Sequence, residues 1–210
     1  MTSRLSLKKG ALSDMVRTKR RSNGRAYGIA VAVVLAVSIV FGFVFDLVYT
    51  KIEHAIYKKP AEYQGYVSEY SLKYDVPENL IYAVMKTESG FDFAARSSAG
   101  AQGLMQLMPN TFLWLTNDML GERYEAGMLY DPETNIKYGV YYLSYLYDRY
   151  GNWDTVLAAY NAGPGNVDSW LTDSEYNSDG DGVLDKIPFR ETRRYVKKVN
   201  KSLKMYDKLY

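Results

Sequence analysis

The feature that most constrains this chain is an uncharged apolar run, AYGIAVAVVLAVSIVFGFVF, at residues 26–45. A helix of about 20 such residues is roughly 30 Å long, the thickness of the hydrocarbon core of a bilayer. A cleavable signal peptide is the alternative, but its apolar part is usually only about 7–15 residues and ends in a small-x-small site, which is not clearly present. We therefore predict an uncleaved transmembrane anchor over residues 26–48 and a short stalk over residues 49–61.

The net positive charge of the chain is concentrated before this run. Residues 1–25 carry eight Lys or Arg side chains against one acid, Asp14, so this arm has a net charge of +7. Subtracting that from the whole-chain charge of +2 leaves −5 for residues 26–210. Basic residues before a span predict a single pass through the cytoplasmic membrane, with a cytoplasmic arm and an extracytoplasmic domain. Because the net positive charge belongs to the arm and the rest of the chain is net acidic, we do not expect nucleic-acid binding.

The composition restricts the chemistry available to the chain. Cysteine is absent, and the single histidine, His54, lies just after the apolar segment. Disulfides, thiolate metal sites, histidine metal sites and Ser–His–Asp or Cys–His catalysis are therefore excluded. Any reaction must depend on carboxylates, hydroxyls, amides and backbone dipoles. We expect no metal and no cofactor.

From residue 62 onward the sequence is typical of helices. Asp75 and Glu78, three residues apart before an apolar run, predict an N-cap with a capping box. Asp131 precedes a proline and Gly151 follows the next long run, which predicts the start and end of another helix. Together with the apolar spacing, these signals predict helices over residues 63–74, 75–89, 131–150, 152–162 and 190–210. We expect a predominantly α domain.

Glu88 stands where the apolar spacing predicts a core residue. Ile81, Val84 and Met85 form one stripe of the predicted helix, and position 88 is next on it. Gly90 ends the helix, so Glu88 lies in the last turn. Burial and the negative end of the helix dipole both disfavour a charged carboxylate and raise its pKa. A carboxyl protonated near neutral pH suits a general acid; an exposed or salt-bridged glutamate is the alternative interpretation.

A glycine-containing segment, SSAGAQGLMQLMPNT, follows at residues 97–111. Gly100 and Gly103 permit positive φ or a close approach of the backbone, and exposed amides there could meet a ligand. The amide of Gln106 suits sugar hydroxyls and acetamido groups. By itself, however, a turn with glycines before a helix is equally well explained as structural.

Three longer blocks carry a resemblance to a known family: ESGFDFAARSSAGAQGLMQLMP (88–109), AAYNAGPGNV (158–167) and IPFRETRRYVKKV (187–199). Residues 62–206 resemble the Slt-type lytic transglycosylases, whose catalytic domain has a goose-type-lysozyme-like fold. The resemblance implies a lysozyme-like helical catalytic domain over residues 62–210. Phe93 departs from the family, which commonly has proline there.

The resemblance also implies roles for individual residues. Glu88 matches the catalytic acid and base. Tyr195 falls on a motif near that glutamate, and Glu191 matches a motif acid with a supporting role. The phenol of Tyr160 could hold Glu88 or the acetamido group of the substrate, although spacing alone is equally typical of a core aromatic. The motif positions that line the sugar groove in the family are Ser97, Gln106, Tyr160 and Asn161.

The reaction implied by the resemblance uses one carboxyl and acts on peptidoglycan glycan strands. Glu88 protonates the oxygen between N-acetylmuramic acid and N-acetylglucosamine, and the acetamido group of the substrate stabilises the positive ring. The ionised Glu88 then removes the proton of the C6 hydroxyl, which closes onto C1 to give a 1,6-anhydro end. Hydrolytic glycosidases usually need a second carboxylate. Between Glu88 and Leu120 the only other acids are Asp92 and Asp118, so a second catalytic carboxylate is not expected, and Asp92 is better explained as a turn or surface residue. A hydrolytic muramidase of the same fold and an inactive murein-binding scaffold are the alternatives.

One further motif lies outside these blocks. In NSDGDGVLD, residues 177–185, Asn177, Asp179, Asp181 and Asp185 imitate the start of an EF-hand loop. The twelfth position, where a bidentate glutamate belongs, is Pro188. A tight turn between two short extended pieces is the preferred interpretation, and a calcium site is the alternative.

Overall fold

The computed structural model describes the backbone of residues 3–210 and the side chains of residues 25–210, in two compact units that divide after Ile56. The first unit is one helix, α1 (Ser3–Ile56). Large apolar side chains such as Phe41, Phe43 and Phe45 are exposed along it. Within the described residues, one helix, Arg25–Ile56, is long and apolar enough to cross a membrane. The side chains of the predicted arm before Arg25 lie outside the description.

The second unit begins at Tyr57 and is built from helices. Between the helices, the part of the chain that the structure describes contains isolated β-bridges but no strand. The prediction of a predominantly α domain is confirmed. The helices are α2 (Ala61–Tyr74), α3 (Glu78–Glu88), α4 (Pro109–Leu113), α5 (Pro132–Tyr150), α6 (Trp153–Ala162), α7 (Pro164–Leu171) and α8 (Arg190–Leu209), with a π-helical segment at Trp114–Met119 and a 3-10 helix at Ala126–Tyr130.

The helix ends confirm one predicted cap and correct another. The Asp131 side chain accepts the N–H of Thr134 at 2.8 Å, and Gly151 ends α5 with φ 64°. The predicted N-cap at Asp75 is wrong. Asp75 instead ends α2 in the left-handed region, and α3 starts only after Pro77. A residue before proline is disfavoured in the helical region, so the helix cannot begin two residues earlier. The helix α7 was not predicted.

The core sets the position of the C-terminal end of α3. Ile81, Val84 and Met85 are fully buried, as the predicted stripe requires. The helix α3 packs against α8, and α6 packs against both α5 and α8. The face of α8 that contains Tyr195 and Val199 is buried in these contacts. The end of α3, the end of α6 and the start of α8 therefore border the same cavity.

Candidate active site

Glu88 lies in the last turn of α3, as the sequence predicts, and is its last residue; its side chain is partly buried. It lines a cavity of about 590 Å³ between α3, α6 and α8. Asn161 and Tyr195, two of the predicted substrate-binding residues, line the same cavity. The remaining lining residues are Thr87, Arg190, Glu191, Arg194 and Lys198. The carboxyl thus opens into a groove large enough for a sugar ring.

The surroundings of Glu88 favour its neutral form. Burial raises the pKa of its carboxyl from 4.5 to about 7. The O–H of Tyr195 opposes this rise in pKa, although the two groups do not meet the geometry of an ordinary hydrogen bond. Among the described residues the buried Tyr195 hydroxyl has no other hydrogen-bond partner. This arrangement suits a proton donor whose ionised form would gain one hydrogen bond.

The segment after Glu88 is a loop in which Ser97 and Gln106 have structural roles. The Ser97 hydroxyl accepts the N–H of Ala101 at 3.0 Å, which closes a turn. The Gln106 amide donates to the carbonyls of Ala95 at 3.1 Å and Gly103 at 2.9 Å. Neither side chain lines the cavity at Glu88. Their predicted contact with sugar therefore stays a prediction.

Hydrogen bonds from three helices hold this loop in place. At the end of α3, Ser89 donates to the carbonyl of Leu104 at 2.8 Å. From α5, the Asn135 side chain accepts the N–H of Met105 at 2.7 Å. From α6, the Tyr160 hydroxyl donates to the Met105 carbonyl at 2.8 Å. Both backbone polar groups of Met105 are thus bonded to side chains of different helices.

Asn135 was not singled out from the sequence. Its amide also donates to the carbonyls of Gln102 at 3.0 Å and Leu129 at 2.8 Å. It is buried, so all three bonds are shielded from water. A single asparagine in a helix carries no local signal for such a role, because its partners lie up to 33 residues away.

Gly100 and Gly103 have the positive φ predicted for them, 97° and 78°. At Gly103 a Cβ atom would lie 2.2 Å from the Asn135 amide nitrogen and 2.4 Å from the Leu129 carbonyl oxygen. At Gly100 the same atom would meet nothing within 4 Å. Gly103 is therefore required for a close approach of the loop to α5.

Tyr160 lies beside Glu88, but its hydroxyl is used by the loop. Burial and the nearby Glu88 carboxyl hold the pKa of this phenol well above its usual value. The hydroxyl donates to the backbone of Met105 and so is not a proton donor to Glu88. Its oxygen can still accept a hydrogen bond from a ligand.

The additional acids do not form a second buried carboxylate. Asp92 is exposed, and its side chain accepts the N–H of Ala94 at 2.9 Å, as a turn residue does. Asp118 is also exposed. Glu191 borders the Glu88 cavity but is exposed. The interpretation of Asp92 as a turn residue is confirmed.

The segment at residues 177–185 forms a turn. The backbone carbonyl of Tyr176 accepts the N–H of Asp185 at 2.8 Å. The Asp185 side chain accepts from the backbone N–H of Ser178 at 2.7 Å and from its hydroxyl at 2.5 Å. The Asp181 side chain accepts the N–H of Val183. No group of three or more His, Cys, Asp or Glu side chains suited to a metal lies in the part of the chain with described side chains. These contacts favour the turn over the calcium site.

Comparison with known proteins places this geometry in context. A soluble lytic murein transglycosylase from Escherichia coli K12 is 38% identical over 150 residues, which are 70% of this chain and 23% of that protein. A membrane-bound lytic murein transglycosylase C from Cronobacter sakazakii is 35% identical over 173 residues, which cover 71% of this chain and 47% of that protein. The chain thus spans between about a quarter and about half of the length of these relatives.

Solved structures show the same fold. An inactive mutant of the lytic transglycosylase Slt from Pseudomonas aeruginosa superposes with a TM-score of 0.62 at 35% identity, covering 71% of this chain and 24% of that one. The 70-kDa soluble lytic transglycosylase from Escherichia coli gives 0.61 at 36% identity, with the same coverages of 71% and 24%. The expected lysozyme-like helical fold is confirmed. The model of the family described as the transglycosylase SLT domain matches residues 65–181, more than half of the chain, and the chain therefore belongs to this family.

Proposed function

We propose that the chain is a membrane-bound murein lytic transglycosylase that cleaves the β-1,4 bond between N-acetylmuramic acid and N-acetylglucosamine without water. The observation that carries this proposal is Glu88, a groove-lining carboxyl with a pKa of about 7. At neutral pH such a group is protonated in a large fraction of the molecules and can donate its proton to the glycosidic oxygen. The product is a 1,6-anhydromuramoyl end.

Glu88 acts twice in this reaction, first as acid and then as base. After donating its proton, Glu88 is an anion in a partly buried site. The buried O–H of Tyr195 lies nearby and has no hydrogen-bond partner among the described residues. A hydrogen bond from that O–H would stabilise the anion. The carboxylate then removes the proton of the substrate's C6 hydroxyl as the oxygen closes onto C1, which restores the starting state.

The relatives support the substrate class. The matching proteins from Escherichia coli and Cronobacter sakazakii are named murein transglycosylases. A solved relative, a 70-kDa soluble lytic transglycosylase, binds bulgecin A. The Pseudomonas aeruginosa structure is an inactive mutant in which one glutamate is replaced by glutamine. We extend the murein substrate to this chain on the basis of its shared catalytic domain.

Mass analysis of a murein digest tests the proposal. The full chain in detergent micelles should release fragments with anhydro ends, each lighter by one water molecule than a hydrolytic product. Glu88→Gln should lower the rate by about 10²–10⁴-fold, the usual contribution of a general acid. Asp118→Asn, which removes an exposed carboxyl, is the matched control and should retain the wild-type rate.

The same digest separates the alternatives. Reducing ends would identify a hydrolytic muramidase. An equal release of fragments by wild type and Glu88→Gln would refute the catalytic assignment, and binding without any release would favour a murein-binding scaffold.

We also propose that residues 26–48 anchor the enzyme in the cytoplasmic membrane with the catalytic domain outside. The exposed apolar side chains of α1 and the basic residues that precede them support this topology. Protease added to wall-stripped cells should remove the domain and spare the arm before Tyr27. Protection of the domain in intact spheroplasts would overturn this orientation.

A further inference from the structure

The exposed face of α8 carries a stripe of basic side chains. The stripe consists of six side chains. Because a helix turns about 100° per residue, these six fall within an arc of about 120°, opposite the buried Val199. At 1.5 Å per residue the stripe is about 21 Å long. All six are exposed. The members of this basic stripe are Arg190, Arg194, Lys197, Lys198, Lys201 and Lys204.

Nearby carboxylates do not neutralise the stripe. The ion pairs found where side chains are described join Lys137 to Glu122 and Arg149 to Asp168, away from α8. Residues 26–210 together have a net charge of −5. The basic stripe is therefore a local concentration of positive charge on an otherwise acidic domain, which is the pattern of a site for an anionic ligand.

Two acids, Asp154 and Asp185, lie among the residues that line the groove described below. Asp154 accepts a hydrogen bond from the Asn200 amide at 2.7 Å. Asp185 accepts from the backbone and hydroxyl of Ser178. Neither carboxylate is within ion-pair distance of the basic stripe among the described side chains, and the six cations of the stripe outnumber the two acids. Glu191, the one acid next to the stripe on the first turn of α8, borders the catalytic cavity.

Five members of the basic stripe line a groove of about 1210 Å³, and the sixth, Lys198, lines the cavity at Glu88. Leu184, Ile187, Val196 and Met205 give this groove apolar walls. At one end it meets the catalytic cavity, because Arg190 and Arg194 line both. A ligand bound along the groove would thus lie next to the sugar that reacts at Glu88.

We propose that this groove binds the peptide stem carried by the N-acetylmuramic acid unit that is cleaved. This inference rests on the proposed function. A stem of up to five residues extends for about 17 Å, which fits the length of the basic stripe. Its free carboxylates would pair with the guanidinium and ammonium groups, and its alanine methyl groups would contact the apolar walls. The reacting sugar bears the stem, so the two sites must be adjacent, as the shared arginines make them.

An anionic lipid surface is the other class of ligand that a basic helix face can bind. The concave shape of the groove and its continuity with the catalytic cavity favour the stem over a flat bilayer surface. The experiment below includes a separate arm for lipid.

Glycan strands with their stems, and the same strands after an amidase has removed the stems, are the two substrates. The full chain in detergent should cleave the stem-bearing strands with a kcat/KM about tenfold higher than that for the stripped strands. The ratio of these two kcat/KM values should fall as salt is raised. Lys201→Gln/Lys204→Gln should reduce the ratio about three- to tenfold, as expected for two exposed ion pairs. Lys73→Gln/Arg123→Gln removes two exposed charges elsewhere and should leave the ratio unchanged.

The outcomes distinguish this inference from the proposed function. Equal cleavage of both substrates to anhydro products would overturn stem binding and leave the transglycosylase activity intact. Absence of anhydro products from both substrates would refute the proposed function itself. If the activity of the full chain in liposomes rose with their phosphatidylglycerol content, and Lys201→Gln/Lys204→Gln lost this dependence but kept the wild-type ratio, the basic stripe would be a lipid site and stem binding would be wrong. A wild-type ratio that did not fall as salt was raised would also overturn stem binding by the basic stripe.

Discussion

Replacement of Glu88 by glutamine should stabilise the folded domain, and only above acidic pH. The pKa of the Glu88 carboxyl is about 7 in the folded protein, against an ordinary value of 4.5 that represents the unfolded chain. Below pH 4.5 the carboxyl is neutral in both states. Between pH 4.5 and about 7 the carboxyl ionises in the unfolded state but stays mostly neutral in the folded state. The free energy of unfolding of the wild type therefore falls over this range and is constant above about pH 7.

The size of this effect follows from the two pKa values. Each pKa unit corresponds to 1.36 kcal/mol, so the full difference is about 3 kcal/mol, and the partial exposure of Glu88 lowers the expected value to about 2–3 kcal/mol. Glutamine is neutral at every pH and avoids this loss. The free energy of unfolding of Glu88→Gln minus that of the wild type should therefore be about 2–3 kcal/mol larger at pH 8 than at pH 4.

Urea unfolding of the full chain in micelles measures this difference. The three tryptophans of the chain all lie in the second unit, so their fluorescence reports the unfolding of that unit alone. They are Trp114, Trp153 and Trp170. Asp118→Asn removes one exposed carboxyl and controls for the change in net charge. A difference between Glu88→Gln and wild type that is the same at both pH values would refute the claim that the site holds this carboxyl neutral.

Three other substitutions test the site. Tyr195→Phe removes the O–H that lowers the pKa of Glu88, so the fall of kcat/KM at alkaline pH should move to a higher pH; a shift to lower pH would contradict the assigned interaction. Gly103→Ala should cost about 3 kcal/mol or more in urea unfolding because its Cβ would overlap Asn135, whereas Gly100→Ala, in open space, should cost about 1 kcal/mol for its positive φ. Equal costs for the two glycine variants would show that the overlap is relieved cheaply. Asn135→Ala should cost about 3 kcal/mol because it leaves buried backbone groups unpaired; an undiminished urea midpoint for this variant would refute the role of Asn135 in holding the loop. Asn135→Asp should cost at least as much at neutral pH, because a buried carboxylate would face the carbonyl oxygens of Gln102 and Leu129 in place of an N–H donor.

Local patterns in the sequence predicted those parts of the site that depend on neighbours along the chain. The position of Glu88 follows from the apolar spacing of one helix and the glycine after it. The cap at Asp131 follows from two consecutive residues, Asp131 and Pro132. The error at Asp75 also has a local cause, since the sequence contains a capping box and a proline that forbids it, and the conformational restriction before Pro77 is the stronger effect.

Such local patterns could not predict contacts between segments that are distant along the chain. The partners of Asn135 and the use of the Tyr160 hydroxyl by Met105 depend on how α5 and α6 pack against the loop. Likewise, the adjacency of the basic stripe to the catalytic cavity arises only when the start of α8 lies beside the end of α3. The spacing of the basic residues on α8 is visible in the sequence, but what they face is not.

The double attachment of Met105 has a consequence for how a substrate is accommodated. Since separate helices clamp the N–H and the carbonyl of one residue, the loop beside the catalytic acid cannot retreat without breaking two hydrogen bonds at once. Under the proposed function, the protein side of the site is therefore rigid, and the bound glycan is the partner that must change shape. Structures with and without a bound glycan should superimpose closely over residues 95–107, while the sugar at the cleavage point adopts a distorted ring.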